Sequence, residues 1–411
     1  MTTFTIYEPK MMAKLAVLRR FATLSEANTF MLHVSNGAAR LLVYSYGLIN
    51  QQLSFKLCDV EPGDDCLMSL TKRDLKKLEA IDWSGPVDCM INTRDIKPCW
   101  TLTTPDTASD NGCRLALIPE KDNETRMMDD MAANRMTAVE GQITADANEL
   151  FVAALRTSKT LSHDDTRLAI QCAHIEQVDD ITLMVVSTDG HRLTMQTFKM
   201  TSEQPLPFSI NIPGPVWSTL VNALALTKGL EQVRFDYEKR QRKDVYREGL
   251  SDERTEIQNY MMMWTMIGSF EFRFETSPDK YPDFRRVLPN KKHCVQLDMD
   301  MVKFRRLLSM HKHTVPKSLG FTMEIQEKRV ILKSKCDDTE FTNSLELLNP
   351  SPYGDQSIKT GYNWKYMMDA LAGNVNGSMT MLANRDDIAM CPLTIEHYEG
   401  MRICIVMPIR I

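Results

Sequence analysis

Apolar positions along the 411-residue chain switch between a helical period and a strand period, and the same succession of periods occurs three times. Pro9 to Ala22 carries apolar side chains at helical spacing; Thr29 to Val34 and Arg40 to Tyr44 then alternate with period two around a Ser35-Asn36-Gly37 turn. The succession returns as a predicted helix over Ala145 to Thr160, strands over Arg167 to Cys172 and Ile181 to Ser187, and a turn near Asp179-Asp180. It returns again as Met299 to His311, Gly320 to Ile325 and Arg329 to Lys333. Each copy also predicts a second helix, over Thr71 to Ile81, Pro213 to Thr227 and Asn363 to Asn374; Thr71 with Asp74 makes a capping start, and Pro213 with Pro215 suits a helix opening. The pattern predicts an α+β fold of three repeated modules, each with two helices and about eight strands.

Length supports the repeat, because a chain of this size exceeds what one hydrophobic core usually serves. Glu120 to Val139, rich in Asp, Asn and Met, reads as the first connection and Leu288-Pro289-Asn290-Lys291-Lys292 as the second, giving modules at 1–139, 140–290 and 291–411. With 43% hydrophobic and 25% charged residues the composition is that of an ordinary globular protein. Ten cysteines without a C-x-x-C pair point to reduced, mostly buried thiols. Met1 to Tyr7 alternates like a strand and lacks the regions of a signal peptide, and no apolar run reaches membrane-spanning length, so a cytoplasmic location is expected.

A net charge of −5 argues against coating nucleic acid with the whole surface, but it leaves room for a segregated basic stripe. The predicted helices carry Lys14, Arg19 and Arg20, then Lys72, Arg73, Lys76 and Lys77, then Arg156 and Lys159, then Lys303, Arg305 and Arg306. If these helices share one surface, that surface attracts phosphate through counterion release without reading bases. For any one of these residues, ordinary solvated surface charge is the preferred reading; the set as a whole, taken with the resemblance given below, favours a DNA-facing surface. The run Lys239-Arg240-Gln241-Arg242-Lys243, followed by acidic residues, reads as a solvated hairpin, and Met261-Met262-Met263-Trp264 at its end as core or as a contact surface.

Three segments carry the most information. Ser187-Thr188-Asp189-Gly190-His191-Arg192-Leu193 places a glycine turn between strands; Tyr281 to Pro289 reads Tyr-Pro-Asp-Phe-Arg-Arg-Val-Leu-Pro; and the chain ends Ile405-Val406-Met407-Pro408-Ile409-Arg410-Ile411. Each joins apolar side chains to an arginine, the make-up of a concave peptide site. Asp189 and His191 suggest a base only in principle, since no nucleophile or metal-ligand pattern accompanies them.

These segments resemble, in order and spacing, those of the bacterial DNA polymerase III beta subunit, the sliding clamp. Thr188 to Leu193 matches that family's segment unchanged, Tyr281 to Pro289 has Phe284 where the family has tyrosine, and Val406 to Ile411 carries two apolar swaps. The resemblance covers the chain from about Glu140 onward by motif and the first module by pattern alone. Phe21 to Asn28 is shorter than the family's loop and lacks its arginine, and the hairpin from Asp236 to Met263 is longer, as in a divergent or phage-encoded member.

The resemblance implies three clamp domains in a head-to-tail dimeric ring that encircles duplex DNA, with helices lining the channel. It implies a non-enzymatic processivity subunit, without cofactor or metal, that tethers a polymerase, a clamp loader and other proteins bearing a clamp-binding motif. Carried over by position, the partner-peptide groove comprises Ile170, Thr188, Gly190, His191, Arg192, Leu193, Pro282, Arg286, Val287, Met390, Pro392, Val406, Met407, Pro408, Ile409 and Arg410. Methionine there suits a pocket that adapts to several ligands. Leu115, Leu117, Leu307, Leu308 and Met310 are expected at the dimer contact, where edge strands of the first and third modules pair. The competing readings are a monomeric nucleic-acid-binding module and a DNA-processing enzyme using Asp189 and His191.

Overall fold

The structure is a computed structural model, and it describes residues 2–26, 30–45, 49–61, 66–92, 99–104, 112–116, 136–164, 166–201, 205–248, 252–290, 292, 294–315, 320–351, 357–372, 378–384, 392–397 and 401–409. Its α-helices are α1 (Met11–Leu24), α2 (Lys72–Glu79), α3 (Ala147–Thr157), α4 (Gly214–Leu226), α5 (Met301–Met310) and α6 (Trp364–Ala370). All six lie where helical periodicity predicts them, with ends displaced by a few residues, as is usual for helix termini. Thr71 and Asp74 form the predicted capping box on α2. Asp300 and Asn363 cap α5 and α6 by accepting the N–H of Lys303 and Tyr366.

Contacts group the chain into two compact units, Met1–Phe151 with Met200–Pro278, and Val152–Lys199 with Asp279–Ile411. Neither unit ends at residue 139 or 290; residues 140–290 contribute to both.

The first unit is organised by an eight-stranded antiparallel sheet. Its strands run in the order Cys66–Leu70, Phe30–Ser35, Ala38–Ser45, Gln51–Asp59, Phe270–Glu275, Asp252–Ile267, Gln232–Glu248 and Gly141–Asp146. Strands from the first sixty residues thus share one ladder with strands from beyond residue 140, joined where Phe270 to Phe274 pair with Phe55 to Gln51. Period-two alternation sends Leu41, Val43, Leu53, Phe55, Phe270 and Phe272 to one face, and all are buried. α1 packs on its strands and against α4. Lys10, at the start of α1, donates to the carbonyl of Leu226 at the end of α4 (3.2 Å), where the helix dipole favours a cation. A smaller sheet orders Thr2–Ile6, Val87–Asn92, Cys99–Thr103 and Gly112–Ala116, the last at an edge.

The long hairpin leaves this sheet as a two-stranded ribbon. Gly141–Asp146 covers the hairpin at residues 232–237, and Phe270–Glu275 at 262–267, whereas the hairpin register continues from Lys239↔Met261 to Glu248↔Asp252. Met261, Met262 and Met263 are all buried, so the methionine run at its base is core.

In the second unit the strands Cys172–Asp179, Thr182–Thr188, Arg192–Lys199, Arg402–Val406, Leu393–His397, Ser378–Asn384 and Cys294–Asp300 are neighbours in that order. A five-stranded sheet orders Thr339–Glu346, Arg329–Cys336, Gly320–Ile325, Ile358–Asn363 and Pro408–Ile409, with Thr339–Glu346 at an edge. Phe304 and Leu308 of α5 and Met367 of α6 fill the core with Phe321, Leu332, Tyr362 and Val406.

One predicted strand is corrected. Arg167 to Cys172 is not extended: Leu168–Gln171 form a 3-10 turn, and the strand begins at Cys172. The Ile170 N–H donates to Arg167 O (3.1 Å) and Ile170 O accepts from Ser162 N (3.1 Å), so the main chain satisfies itself locally. A short apolar run carries no periodicity that separates these outcomes.

Candidate functional site

The turn between Thr182–Thr188 and Arg192–Lys199 is closed by its own side chains. Gly190 adopts φ +87°, which an L side chain resists. Thr188 Oγ1 accepts from Gly190 N (3.1 Å) and donates to Arg192 O (2.7 Å). Asp189 Oδ1 accepts the main-chain N–H groups of His191 and Arg192, both at 3.0 Å. The carboxylate of Asp189 therefore holds the turn, and the exposed His191 ring lies instead beside Tyr366, centroids 6.5 Å apart.

Arg192 is built into the protein. Its Nε donates to Asp189 Oδ2 (2.9 Å), its Nη1 to Asp369 Oδ2 (2.8 Å) and its Nη2 to the carbonyl of Lys159 (2.5 Å), while the guanidinium lies 4.2 Å from the Tyr366 ring centre. Its side chain is 9% exposed. Asp369 also faces Lys159 Nζ at 3.5 Å.

Beyond this turn lies an apolar cluster. Leu193 pairs with Ile405 across neighbouring strands, and around them gather Ile170, Val186, Met195, Tyr281 and Phe284. His174 stacks on Tyr281 (centroids 4.5 Å, 12° between planes) and meets Phe284 edge-on at 6.1 Å. Burial pushes the Tyr281 hydroxyl far above the usual phenol range, so it stays a neutral donor. Pro282, Arg286 and Val287 are exposed at the rim, and Arg286 pairs with Asp283 at 3.1 Å. The tail closes the arrangement: Met407 N donates to His191 O (2.9 Å), and Pro408 and Ile409 pair with Tyr362 and Gly361. Met407, Pro408 and Ile409 are half-buried, as is Pro392, next to the strand Leu393–His397. Leu117, Met390 and Arg410 lie outside the described residues.

Val406 does not line this cluster. Opposite Arg192 in the ladder, it projects into the core with Leu393 and Tyr362, and its neighbour Ile405 joins the cluster instead. The sequence reading also passed over Tyr281, Phe284, Tyr366 and Asp369 as site residues. The first two stand inside the quoted junction segment; the other two occupy α6, and no local pattern links them to the turn.

The basic residues divide. Arg19, Arg20, Lys72, Arg73, Lys76, Lys77, Lys303, Arg305 and Arg306 are exposed, Arg19 paired with Glu79 at 3.0 Å and Lys77 with Asp74 at 3.1 Å. Lys14 is a correction. At 8% exposed it lies on the core stripe of α1 beside Met11, Leu15 and Leu18, ion-paired to Glu8 and 5.7 Å from the Phe55 ring centre. Arg156 donates to Gln196 (2.8 Å) and Lys159 is engaged by Asp369, so both have protein partners. Of the expected dimer contacts, Leu115 and Leu308 are fully buried within their own protomer, Leu307 is half-buried and Met310 is 51% exposed.

A recess of about 780 Å³ lies in the first unit on the sheet face away from Phe55, lined among others by Arg40, Trp264, Glu271 and Arg273. Burial pushes the Glu271 carboxyl up, but Arg273 and the Trp264 N–H outweigh it and hold the group ionised below its usual range. Burial pushes the Cys89 thiol up to about 12 and the Cys58 thiol up to about 11, which leaves both poor nucleophiles. Among the described residues no three His, Cys, Asp or Glu side chains are grouped to hold a metal ion.

No protein-family model and no curated protein matches the sequence. Solved structures do match over the whole chain. The DNA polymerase III beta subunit of Thermotoga maritima superposes with a TM-score of 0.73 at 15% identity, covering 100% of both chains. That of Borrelia burgdorferi, solved with a natural product, gives 0.73 at 12% identity, covering 100% of this chain and 98% of its own. A sliding clamp from Bartonella birtlesii bound to griselimycin gives 0.69 at 16%, covering 100% of both. With full coverage in each case, the chain has the fold of the bacterial DNA polymerase III beta-subunit sliding clamps.

Proposed function

We propose that this protein is a DNA sliding clamp: a ring-forming, non-enzymatic processivity factor that holds a polymerase and other partners on duplex DNA. The observation that carries the reading is the buried apolar cluster of Ile170, Leu193, Tyr281, Phe284 and Ile405, drawn from the three motif segments. Such a cluster, with Pro282, Arg286 and Val287 exposed beside it, suits the floor of a site for a short hydrophobic peptide. Asp189 is committed to the turn and to Arg192, which speaks against an Asp189–His191 base and so against a DNA-processing enzyme.

In this reading the chain comprises three clamp domains at 1–139, 140–290 and 291–411, and two copies close head to tail. The edge strands Gly112–Ala116 and Thr339–Glu346 are the candidates for pairing across the boundary, since each ends its sheet among the described residues. Met310 and the half-buried Leu307 on α5 supply apolar contact, with Leu115 and Leu308 supporting from within. Arg19, Arg20, Lys72, Arg73, Lys76, Lys77, Lys303, Arg305 and Arg306 face the duplex, giving attraction without sequence preference. The partners are a polymerase catalytic subunit, a clamp loader and other clamp-binding-motif proteins. The setting is the cytoplasm; no helix of the described residues is long and apolar enough to cross a membrane.

The test is topological. Protein loaded on a nicked plasmid should stay bound through a high-salt wash and leave when the plasmid is linearised. Equal loss from circle and linear form as salt rises would replace the ring with a simple electrostatic binder. Binding of griselimycin, the ligand carried by the Bartonella clamp, tests the groove separately.

A further inference from the structure

Arg192 is held from three directions, and the carboxylate farthest from it in sequence belongs to Asp369. We propose that Asp369 is a positioning residue for the groove: it latches the Thr188–Leu193 turn to α6 and so preforms the wall that a partner peptide meets. The inference rests on the groove reading above.

Two cations share this one carboxylate. Asp369 Oδ2 accepts from Arg192 Nη1 at 2.8 Å, and Oδ1 faces Lys159 Nζ at 3.5 Å. Lys159 also gives its carbonyl to Arg192 Nη2, so residues 159, 192 and 369 close a small circuit. Tyr366, one turn before Asp369 on the same face of α6, supports the guanidinium with its ring. Arg192 is largely buried, and such a cation reorients when it loses one of its counter-charges.

The latch is mounted on an element fixed at both ends. α6 has only seven residues, too few to be helical without tertiary support. Asn363 caps its start. Past its end, the 1% exposed Arg402 donates to Asp369 O (3.2 Å) and Ala372 O (2.5 Å), and His397 Nε2 lies 3.1 Å from Ala370 O. On the other side of the latch, Leu193 belongs to the apolar cluster and His191 O receives Met407 N–H. Holding Arg192 therefore holds the edge of the cluster, the exposed turn and the tail, which lowers the ordering cost of binding.

The experiment uses full-length protein with Asp369→Asn and Asp369→Glu, amide hydrogen exchange without ligand, and griselimycin as the binding probe. Asp369→Asn should speed exchange at Gly190–Leu193 and Met407 roughly tenfold or more, leave strands Gly320–Ile325 and Arg329–Cys336 protected, and weaken griselimycin on the order of tenfold. Asp369→Glu, which keeps the charge, should recover part of both. In a double-mutant cycle with Arg192→Ala the losses should be less than additive. Unchanged exchange at the turn in Asp369→Asn, loss of protection spread over the whole second unit, or strictly additive losses would each overturn the latch. Failure of the wild type to bind griselimycin would instead overturn the groove reading, and the exchange measurement would still decide the latch.

Discussion

Leu193 and Ile405 sit directly opposite each other on adjacent antiparallel strands, and both belong to the apolar cluster that the clamp reading places beneath the groove. Because side chains alternate along a strand, Val406 necessarily points to the other side, into the core with Tyr362 and Leu393. Neighbouring residues therefore have separable roles. Ile405→Ala should weaken griselimycin about tenfold or more, while Val406→Ala should leave affinity within about twofold and cost roughly 1–3 kcal/mol of stability. Calorimetric titration beside thermal unfolding checks the pair; equal effects on binding would show that both side chains line the pocket.

Lys14 separates charge that supports the fold from charge that the clamp reading sets against phosphate. Its ammonium is tied to Glu8 in a largely buried position, so Lys14→Ala should lower stability by about 1–3 kcal/mol, through the lost ion pair and the lost packing of its stem, and leave DNA retention unchanged. Arg305→Glu with Arg306→Glu, both exposed on α5, should do the reverse and flatten the salt dependence of loading. Retention on nicked plasmid across a salt series, measured with unfolding midpoints, distinguishes the two.

Gly141 lies against Tyr237, and a Cβ there would fall 2.2 Å from the Tyr237 hydroxyl oxygen and 2.3 Å from the ring carbon that bears it. Gly141→Ala should cost roughly 1–3 kcal/mol through overpacking. The cost should shrink when Tyr237→Leu removes the ring. Additive destabilisation in the double variant would place the strain elsewhere.

Glu324 gives the second unit an acid-sensitive contact. Hydrogen bonds from Lys333 (2.9 Å), Ser357 (2.8 Å) and Gln326 (2.9 Å) bring its pKa down to about 2 from an ordinary value of 4.5. Between these values the unfolded chain binds the proton more readily than the folded one. The contribution is thus complete above pH 4.5 and lost as pH falls toward 2. Solvent screening limits it to the order of 1 kcal/mol. Glu324→Gln should flatten the stability profile in that window, and an unchanged slope would assign the acid sensitivity to other carboxylates.

How far the sequence disclosed the site depended on whether the signal was local. The turn around Gly190, the junction at Pro282 and the tail at Pro408 are short, contiguous patterns, and the structure brings all three to one place. Parity was not local: whether Ile405 or Val406 joins Leu193 in its cluster depends on pairing with Arg192–Lys199, more than two hundred positions earlier. Lys14 misled for a similar reason, because its partners Glu8 and Phe55 come from outside α1. Asp369 carries no motif; only the folded chain sets it beside Arg192. The strand expected at Ile170 failed on brevity, where a 3-10 turn and an extended run look alike.

The ladder between Phe270–Glu275 and Gln51–Asp59 has a mechanical meaning. Strands from either side of residue 140 are bonded edge to edge, so the first unit bends as a continuous plate and not as two plates on a string. Pulling those halves apart shears several main-chain hydrogen bonds and exposes Phe55, Phe270 and Phe272 at once. Any hinge within this chain has to lie somewhere else.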